Sequence, residues 1–213
     1  MIRALVLDVD GVLVKAGVFA EILDDRYGLS RDATASFFQG PFVQCVLGRA
    51  DLREEIAPFV REWGFEGTVD DLLRLWFEAD SEVDAAVLDV VERVREEGVP
   101  CYVASTQERY RASYLAEEIG LASRFDGLFF SCHVGSKKPD AAFFDHVVRE
   151  IDVRPDEILF FDDHPPNVHG ARQCGWHAEE HRFGDGIEPA VVRHLGALHR
   201  RAEGDRDPPA FRA

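Results

Sequence analysis

Two pairs of carboxylates are the residues best suited to chemistry in this sequence. Asp8 and Asp10 stand two positions apart after one apolar run, and Asp162 and Asp163 follow another. Either pair alone is also typical of a polar turn or a helix cap. Carboxylates brought together repel one another unless a cation lies between them, and an all-oxygen site prefers a hard ion such as Mg²⁺. The two pairs therefore predict a magnesium site if the fold joins them.

A parallel sheet would join them. Short runs of branched and aromatic residues predict the buried strands Ile2 to Leu7, Val99 to Ala104, Leu128 to Phe130, Ile158 to Phe161 and, more weakly, Trp176 to Glu179. Ligands of open parallel sheets bind at the carboxyl ends of the strands. The polar residues that follow these ends are Asp8, Asp10, Ser105, Thr106, Asp162 and Asp163.

Helical patterns alternate with the predicted strands, which favours an α/β fold with a doubly wound parallel sheet. These patterns are Val83 to Glu97, Glu108 to Ile119, Ala141 to Glu150 and Val168 to Cys174. The alternation is interrupted by three amphipathic stretches without a convincing strand, Phe19 to Tyr27, Asp51 to Trp63 and Val69 to Ala79. We predict an α/β core of residues 1–14 and 82–202, a small helical insertion of residues 15–81 serving as a cap, and a loosely ordered tail of residues 203–213.

The composition disfavours several classes of function. A formal charge of −16 repels nucleic acid and anionic membranes. No stretch approaches the roughly 20 apolar residues that span a bilayer. The four cysteines show no paired spacing of the kind that zinc or a redox dithiol requires. We expect a cytoplasmic globular protein whose partner is a small molecule.

Four stretches resemble the motifs of the haloacid dehalogenase-like (HAD) hydrolase superfamily. In chain order they are LVLDVDGVL, VASTQ, SKKPDAAFF and ILFFDDHPPNVHGARQCGW. The family also places an α-helical cap where the insertion stands. The resemblance implies the same α/β fold and hydrolysis of phosphate esters with Mg²⁺.

The resemblance also implies a role for each motif residue. Asp8 would be the nucleophile that becomes phosphorylated, and Asp10 the general acid and base. The implied phosphate-binding residues are Ser105, Thr106 and Lys138. The implied Mg²⁺ ligands are Asp8, Asp163 and Asp10, the last through its backbone carbonyl.

Several of these assignments leave alternatives. Thr106 stands where relatives commonly have asparagine. Lys137 competes with Lys138, although the spacing to Pro139 favours Lys138, and the chain has only three lysines among its 24 basic residues.

Three further residues, two of them in the fourth motif, have two interpretations each. Asp162 lies either behind the metal ligand Asp163 or beside Lys138. Asn167 caps a helix or ties down the loop. Arg49 holds a substrate carboxylate or second phosphate, or it forms a surface salt bridge.

The predicted function is that of a Mg²⁺-dependent phosphatase acting on a small phosphorylated metabolite, as a monomer or homodimer. A phosphosugar mutase would share every motif. A 2-haloacid dehalogenase would also use Asp8, but relatives with that chemistry lack the second aspartate that Asp10 supplies. A non-catalytic binding module does not need the complete set of charged residues.

Overall fold

A single parallel sheet organises the chain, and the structure, a computed structural model, describes residues 1–196. Its strands are β1 (Ala4–Leu7), β2 (Cys101–Ser105), β3 (Gly127–Phe130), β4 (Ile158–Asp162) and β5 (His177–Glu180), in the order β3-β2-β1-β4-β5. In the register, Leu5 of β1 lies opposite Cys101 on one side and Leu159 on the other. The ends of β2 and β4, which carry polar residues, therefore flank the end of β1.

Helices occupy both faces of this sheet. Those of the sheet region are α6 (Ala85–Glu96), α7 (Arg109–Glu117), α8 (Leu121–Arg124), α9 (Ser131–Val134), α10 (Ala141–Ile151), α11 (Pro165–Gln173) and α12 (Glu188–Leu195), with a 3₁₀ turn at Pro155–Glu157. The segment between β1 and α6 holds α1 (Val18–Tyr27), α2 (Arg31–Phe38), α3 (Pro41–Val46), α4 (Leu52–Glu62) and α5 (Val69–Ala79).

Side chains that alternate between the two faces of the sheet form two hydrophobic layers. Leu5 and Leu7 pack with α6, α7 and α12, whereas Ala4 and Val6 pack with α10 and α11 on the opposite face. All four side chains are buried, because successive residues of a strand point to opposite faces and both faces here are covered by helices. The predicted α/β fold with a doubly wound parallel sheet is thus confirmed.

The helical insertion has a hydrophobic core of its own, in which aromatic rings pack among aliphatic side chains. Phe37 is fully buried at its centre, with the rings of Phe38, Phe59 and Trp63 within 5.7 Å of it, centroid to centroid. Tyr110 and Tyr114 of α7 pack against this cluster from the sheet region.

The last residues of the chain and the lengths of the helices complete the description of the fold. Residues 197–202 of the predicted core and the predicted tail of residues 203–213 lie outside the described residues. Within residues 1–196, no helix is long and apolar enough to cross a membrane.

Candidate active site

The turn after β1 brings Asp8 into contact with the end of β4. The backbone N–H of Asp8 donates to the carbonyl of Phe161 at 2.9 Å. Three residues later the chain turns back at Gly11, whose φ of +78° suits glycine. A Cβ atom there would lie 2.2 Å from Oδ2 of Asp163, so the turn and the Asp163 carboxylate are in direct contact.

Lys138 joins the ends of β1 and β4. Its Nζ lies 2.8 Å from Oδ1 of Asp8 and 2.6 Å from Oδ2 of Asp162, and the residue is only 3% exposed. Asp162 also accepts hydrogen bonds from Nδ2 of Asn167, at 3.0 and 3.1 Å, and from the backbone N–H of His164 at 2.8 Å. Both oxygens of Asp162 are therefore occupied, and Asn167 ties down the loop that follows β4.

Three carboxylates meet at this point. Oxygens of Asp8, Asp162 and Asp163 lie within 4.8 Å of one another, and Lys138 is the cation placed between two of them. Burial raises the pKa of Asp8, while the charge of Lys138 acts in the opposite direction. Desolvation and then the charge of Asp162 raise the pKa of Asp163.

This donor set fits a hard divalent cation. All its ligand atoms are carboxylate oxygens, and three carboxylates face one lysine, which leaves an excess of negative charge. Because Asp162 is occupied by Lys138, Asn167 and a backbone N–H, the freer oxygens belong to Asp8 and to the exposed Asp163.

The side chain of Asp10 turns away from this group towards the start of α7. Its Oδ2 accepts a hydrogen bond of 2.6 Å from Nε2 of Gln107, and its Oδ1 lies 3.5 Å from Nη2 of Arg111. The three clustered side chains are therefore those of Asp8, Asp162 and Asp163, whereas the motifs implied Asp8, Asp10 and Asp163 as the metal ligands. Asp10 would contribute to a metal site only through its backbone, as the family resemblance implies.

The end of β2 supplies the remaining predicted residues. Ser105 is 1% exposed, and its Oγ accepts a hydrogen bond of 3.0 Å from Nε2 of Gln107. Thr106 follows it and is half-buried. Arg49 lies further out, where its Nη2 donates to the carbonyl of Gly135 at 3.4 Å.

Sequence reasoning missed Gln107 and Arg111. Both are buried and both contact Asp10, yet the resemblance gave no role to Gln107, the last residue of the motif VASTQ, and Arg111 lies outside the motifs. The position of Gln107, two residues beyond Ser105, was the one available indication.

Solved structures share this architecture over most of the chain. A predicted HAD-like family hydrolase of Porphyromonas gingivalis superposes with a TM-score of 0.78 at 24% identity, covering 93% of this chain and 100% of that one. A HAD family enzyme of Bacteroides thetaiotaomicron, in complex with magnesium and inorganic phosphate, superposes with a TM-score of 0.75 at 18% identity, covering 89% and 99%. At these identities the likeness concerns the fold.

Among relatives compared by sequence, two match over short stretches and one over most of the chain. Drimenol cyclase of Aspergillus calidoustus is 45% identical over 77 residues, which are 36% of this chain and 15% of that protein. A sesquiterpene phosphatase of Aspergillus oryzae is 32% identical over 92 residues, 43% of this chain and 47% of that protein. This chain thus spans less than half the length of either relative. D-ribitol-5-phosphate phosphatase of Bacteroides thetaiotaomicron is 25% identical over 190 residues, 83% of this chain and 90% of that one.

One match covers the motifs and the insertion together. The family model of haloacid dehalogenase-like hydrolases matches residues 2–175, which contain β1 to β4, the first three predicted motifs and the fourth except its last residue, Trp176. This chain therefore belongs to the haloacid dehalogenase-like hydrolases.

Proposed function

We propose that this hydrolase is a magnesium-dependent phosphatase that cleaves a small phosphorylated metabolite through a phosphoaspartate on Asp8. The observation that carries the proposal is the buried Asp8 carboxylate. It is held by Lys138 at 2.8 Å and lies beside the exposed Asp163. The proposal is supported by relatives named as phosphatases and by a fold neighbour that binds magnesium and inorganic phosphate.

In the first step, Asp8 attacks phosphorus and the bond to the leaving alcohol breaks. Carboxylates are weakly basic nucleophiles that form aspartyl-phosphates. Lys138 and the hydroxyl of Ser105 stabilise the phosphoryl oxygens, where negative charge accumulates. Thr106 lies next to Ser105 and joins it in binding this group.

Asp10 moves the protons in both half-reactions. It first protonates the leaving oxygen, and it then takes a proton from the water that hydrolyses the phosphoaspartate. Its side chain is 39% exposed, in contrast to that of Asp8 at 8%, so it can reach both solvent and substrate.

Asp8 and Asp163, with the backbone carbonyl of Asp10, would hold Mg²⁺. The bound ion supplies positive charge that neutralises the phosphoryl group and allows it to approach the carboxylates. Asp162 holds Lys138 in place from behind, and Asn167 fixes Asp162 in turn.

The rival functions differ in the fate of the intermediate formed on Asp8. A mutase returns the phosphoryl group to a sugar, whereas a phosphatase transfers it to water. A dehalogenase needs no proton donor for its halide, and the two side chains that hold Asp10 favour a reaction that uses this carboxyl. The cytoplasmic location and the monomeric or homodimeric state stay predictions.

The proposal is tested with 4-nitrophenyl phosphate. We expect turnover that a chelator abolishes and Mg²⁺ restores, together with a mass increase of one phosphoryl group on the peptide containing Asp8. Asp8→Asn should abolish both signals, and Asp25→Asn, at an exposed aspartate of the insertion, should leave both unchanged. Full turnover in metal-free buffer would contradict the metal assignment, and turnover by Asp8→Asn would contradict the nucleophile.

A further inference from the structure

Both carboxylate oxygens of Asp10 are held by buried side chains, those of Gln107 just before α7 and of Arg111 in its first turn. We propose that Gln107 and Arg111 are positioning residues that fix the Asp10 carboxylate for proton transfer, and that they do so through contacts with the helical insertion. The inference rests on the proposed phosphatase function, in which Asp10 is the acid and base.

Gln107 has a fixed orientation. Its residue is 4% exposed, and its Nε2 donates to Oδ2 of Asp10 at 2.6 Å and to Oγ of Ser105 at 3.0 Å. An amide nitrogen has two hydrogens, so these two acceptors use both of them. Because Ser105 accepts this bond, its own hydroxyl hydrogen stays available for a phosphoryl oxygen. One amide therefore orients the proton carrier and a phosphate-binding residue together.

Arg111 approaches Asp10 from the other side. Its Nη2 lies 3.5 Å from Oδ1 of Asp10 and also donates to the carbonyl of Asp80, while its Nη1 donates to the carbonyl of Phe77 at 2.9 Å. Those two carbonyls belong to the end of α5, where the insertion returns to the sheet. The planar guanidinium is thus fixed by the insertion in the direction in which it meets Asp10.

Gln107 is connected to the insertion as well. Its backbone N–H donates to Oγ of Ser131 at 3.0 Å, and the Ser131 hydroxyl donates to the carbonyl of Val46 at 2.6 Å. Ser131 is fully buried, so water does not compete for these bonds. The two residues that hold Asp10 are therefore linked to two separate segments of the insertion, Arg111 directly to the end of α5 and Gln107 through Ser131 to the end of α3.

This arrangement matters because proton transfer depends strongly on position. A general acid must lie within hydrogen-bond reach of the leaving oxygen, and small displacements of a catalytic group are costly. Without the Gln107 amide, the Asp10 carboxylate keeps the 3.5 Å contact of Oδ1 with Arg111 but loses the hydrogen bond to Oδ2, so it is held less firmly. Loss of this amide should therefore weaken general-acid catalysis specifically.

The experiment measures release of the phenol in the first turnover, with enzyme in excess, for two esters. Phenyl phosphate has a leaving group that needs protonation, and 2,4-dinitrophenyl phosphate has one that does not. We expect Gln107→Met to slow phenol release from phenyl phosphate by about tenfold or more, as weakened general-acid catalysis predicts, and to change release from the dinitrophenyl ester by less than about twofold. In an Asp10→Asn background, Gln107→Met should cause no further loss with phenyl phosphate.

Gln173→Met, at an exposed glutamine of α11, is the matched control and should behave as the wild type. Should Gln107→Met fail to fold, Gln107→Leu also removes the amide donors without adding a charge beside Asp10, and it should show the same difference between the esters. An equal loss on both esters, or an undiminished loss in the Asp10→Asn background, would overturn the positioning role. A wild-type enzyme that cleaves neither ester would instead contradict the phosphatase proposal itself.

Discussion

At the scale of single residues, Lys138 is the centre of the buried charge network. It is 3% exposed and contacts two carboxylates that would otherwise repel each other, those of Asp8 and Asp162. Removing one partner of a buried ion pair leaves an uncompensated charge in a poorly solvated place, which destabilises proteins by about 3–5 kcal/mol. Lys138 therefore stabilises the fold, and in the proposed reaction it would also stabilise the phosphoryl group.

Replacing Lys138 by alanine should lower kcat on aryl phosphates by about 100-fold or more, the loss typical of removing one preorganised charge-stabilising group. The matched variant Lys137→Ala changes the neighbouring half-buried lysine and should retain wild-type kcat. Circular dichroism in the presence of Mg²⁺ would show whether both variants fold, and Lys138→Met serves if the alanine variant does not. Reversed effects at the two lysines would mean that the third motif is misaligned by one residue.

At the scale of elements, the turn after β1 sets the distance between Asp8 and Asp163. Gly11 has a positive φ, and its missing Cβ is the space that the Asp163 carboxylate fills. The turn thus depends on glycine for two reasons, its backbone conformation and its close approach to a proposed metal ligand.

Gly11→Ala should therefore raise the Mg²⁺ concentration needed for half-maximal activity by about tenfold or more, in the range seen when residues that support metal ligands are changed. Gly98→Ala is the control, because Gly98 has a φ of +80° and no atom within 4 Å of the added Cβ. Both variants should lose about 1–2 kcal/mol of stability from the left-handed backbone conformation, measured by denaturant unfolding. Equal Mg²⁺ requirements would show that the contact with Asp163 is unimportant.

Sequence periodicity predicted the strands and the long helices well and the short helices not at all. The stretch Val69 to Ala79 coincides with α5, and the predicted strands differ from the observed ones by at most two residues at either end. Five helices were not predicted; these are α2, α3, α8, α9 and α12, which contain between four and eight residues. So few residues complete at most about two turns, which is too short for a 3.6-residue period to be recognised.

Without the family resemblance, which adds Lys138, the candidate site was predictable only where strand ends carry it. Asp8, Asp162 and Asp163 lie at the ends of buried strands, so a parallel sheet alone brings them together. The contacts of Arg111 with Asp10 and the end of α5 depend on how α7 packs against the insertion. No local pattern in the sequence encodes that packing, so this part of the site required the structure.

At the scale of the whole molecule, the insertion lies on the sheet region through polar contacts near the site. The hydroxyl of Tyr110 donates to Asp51 at 2.6 Å, and Nη2 of Arg109 donates to the carbonyl of Gly48 at 2.8 Å. The predicted cap boundaries of residues 15–81 stay a prediction. We expect the insertion to close over bound substrate and to exclude water from the phosphoryl group.

Two glycines of the insertion allow a test of whether its contact with the sheet region matters for activity. Gly48 has a φ of +68°, and an added Cβ would lie 2.1 Å from the backbone carbonyl oxygen of Cys132 in α9. Gly64 has a φ of +66° and nothing within 4 Å of an added Cβ. Alanine at either position carries the same backbone cost, but only Gly48→Ala must push the end of α3 away from α9.

That movement would displace Val46 from Ser131, which supports Gln107. We therefore expect kcat/KM of Gly48→Ala to fall by about tenfold to 100-fold, because small misplacements of catalytic groups have effects of this size. Gly64→Ala should keep kcat/KM and lose only stability. Amide hydrogen exchange of residues 131–135 should be faster in Gly48→Ala than in Gly64→Ala, since the covering contact is lost. Identical kcat/KM values for the two variants would show that catalysis does not require the insertion to be seated as the structure shows it.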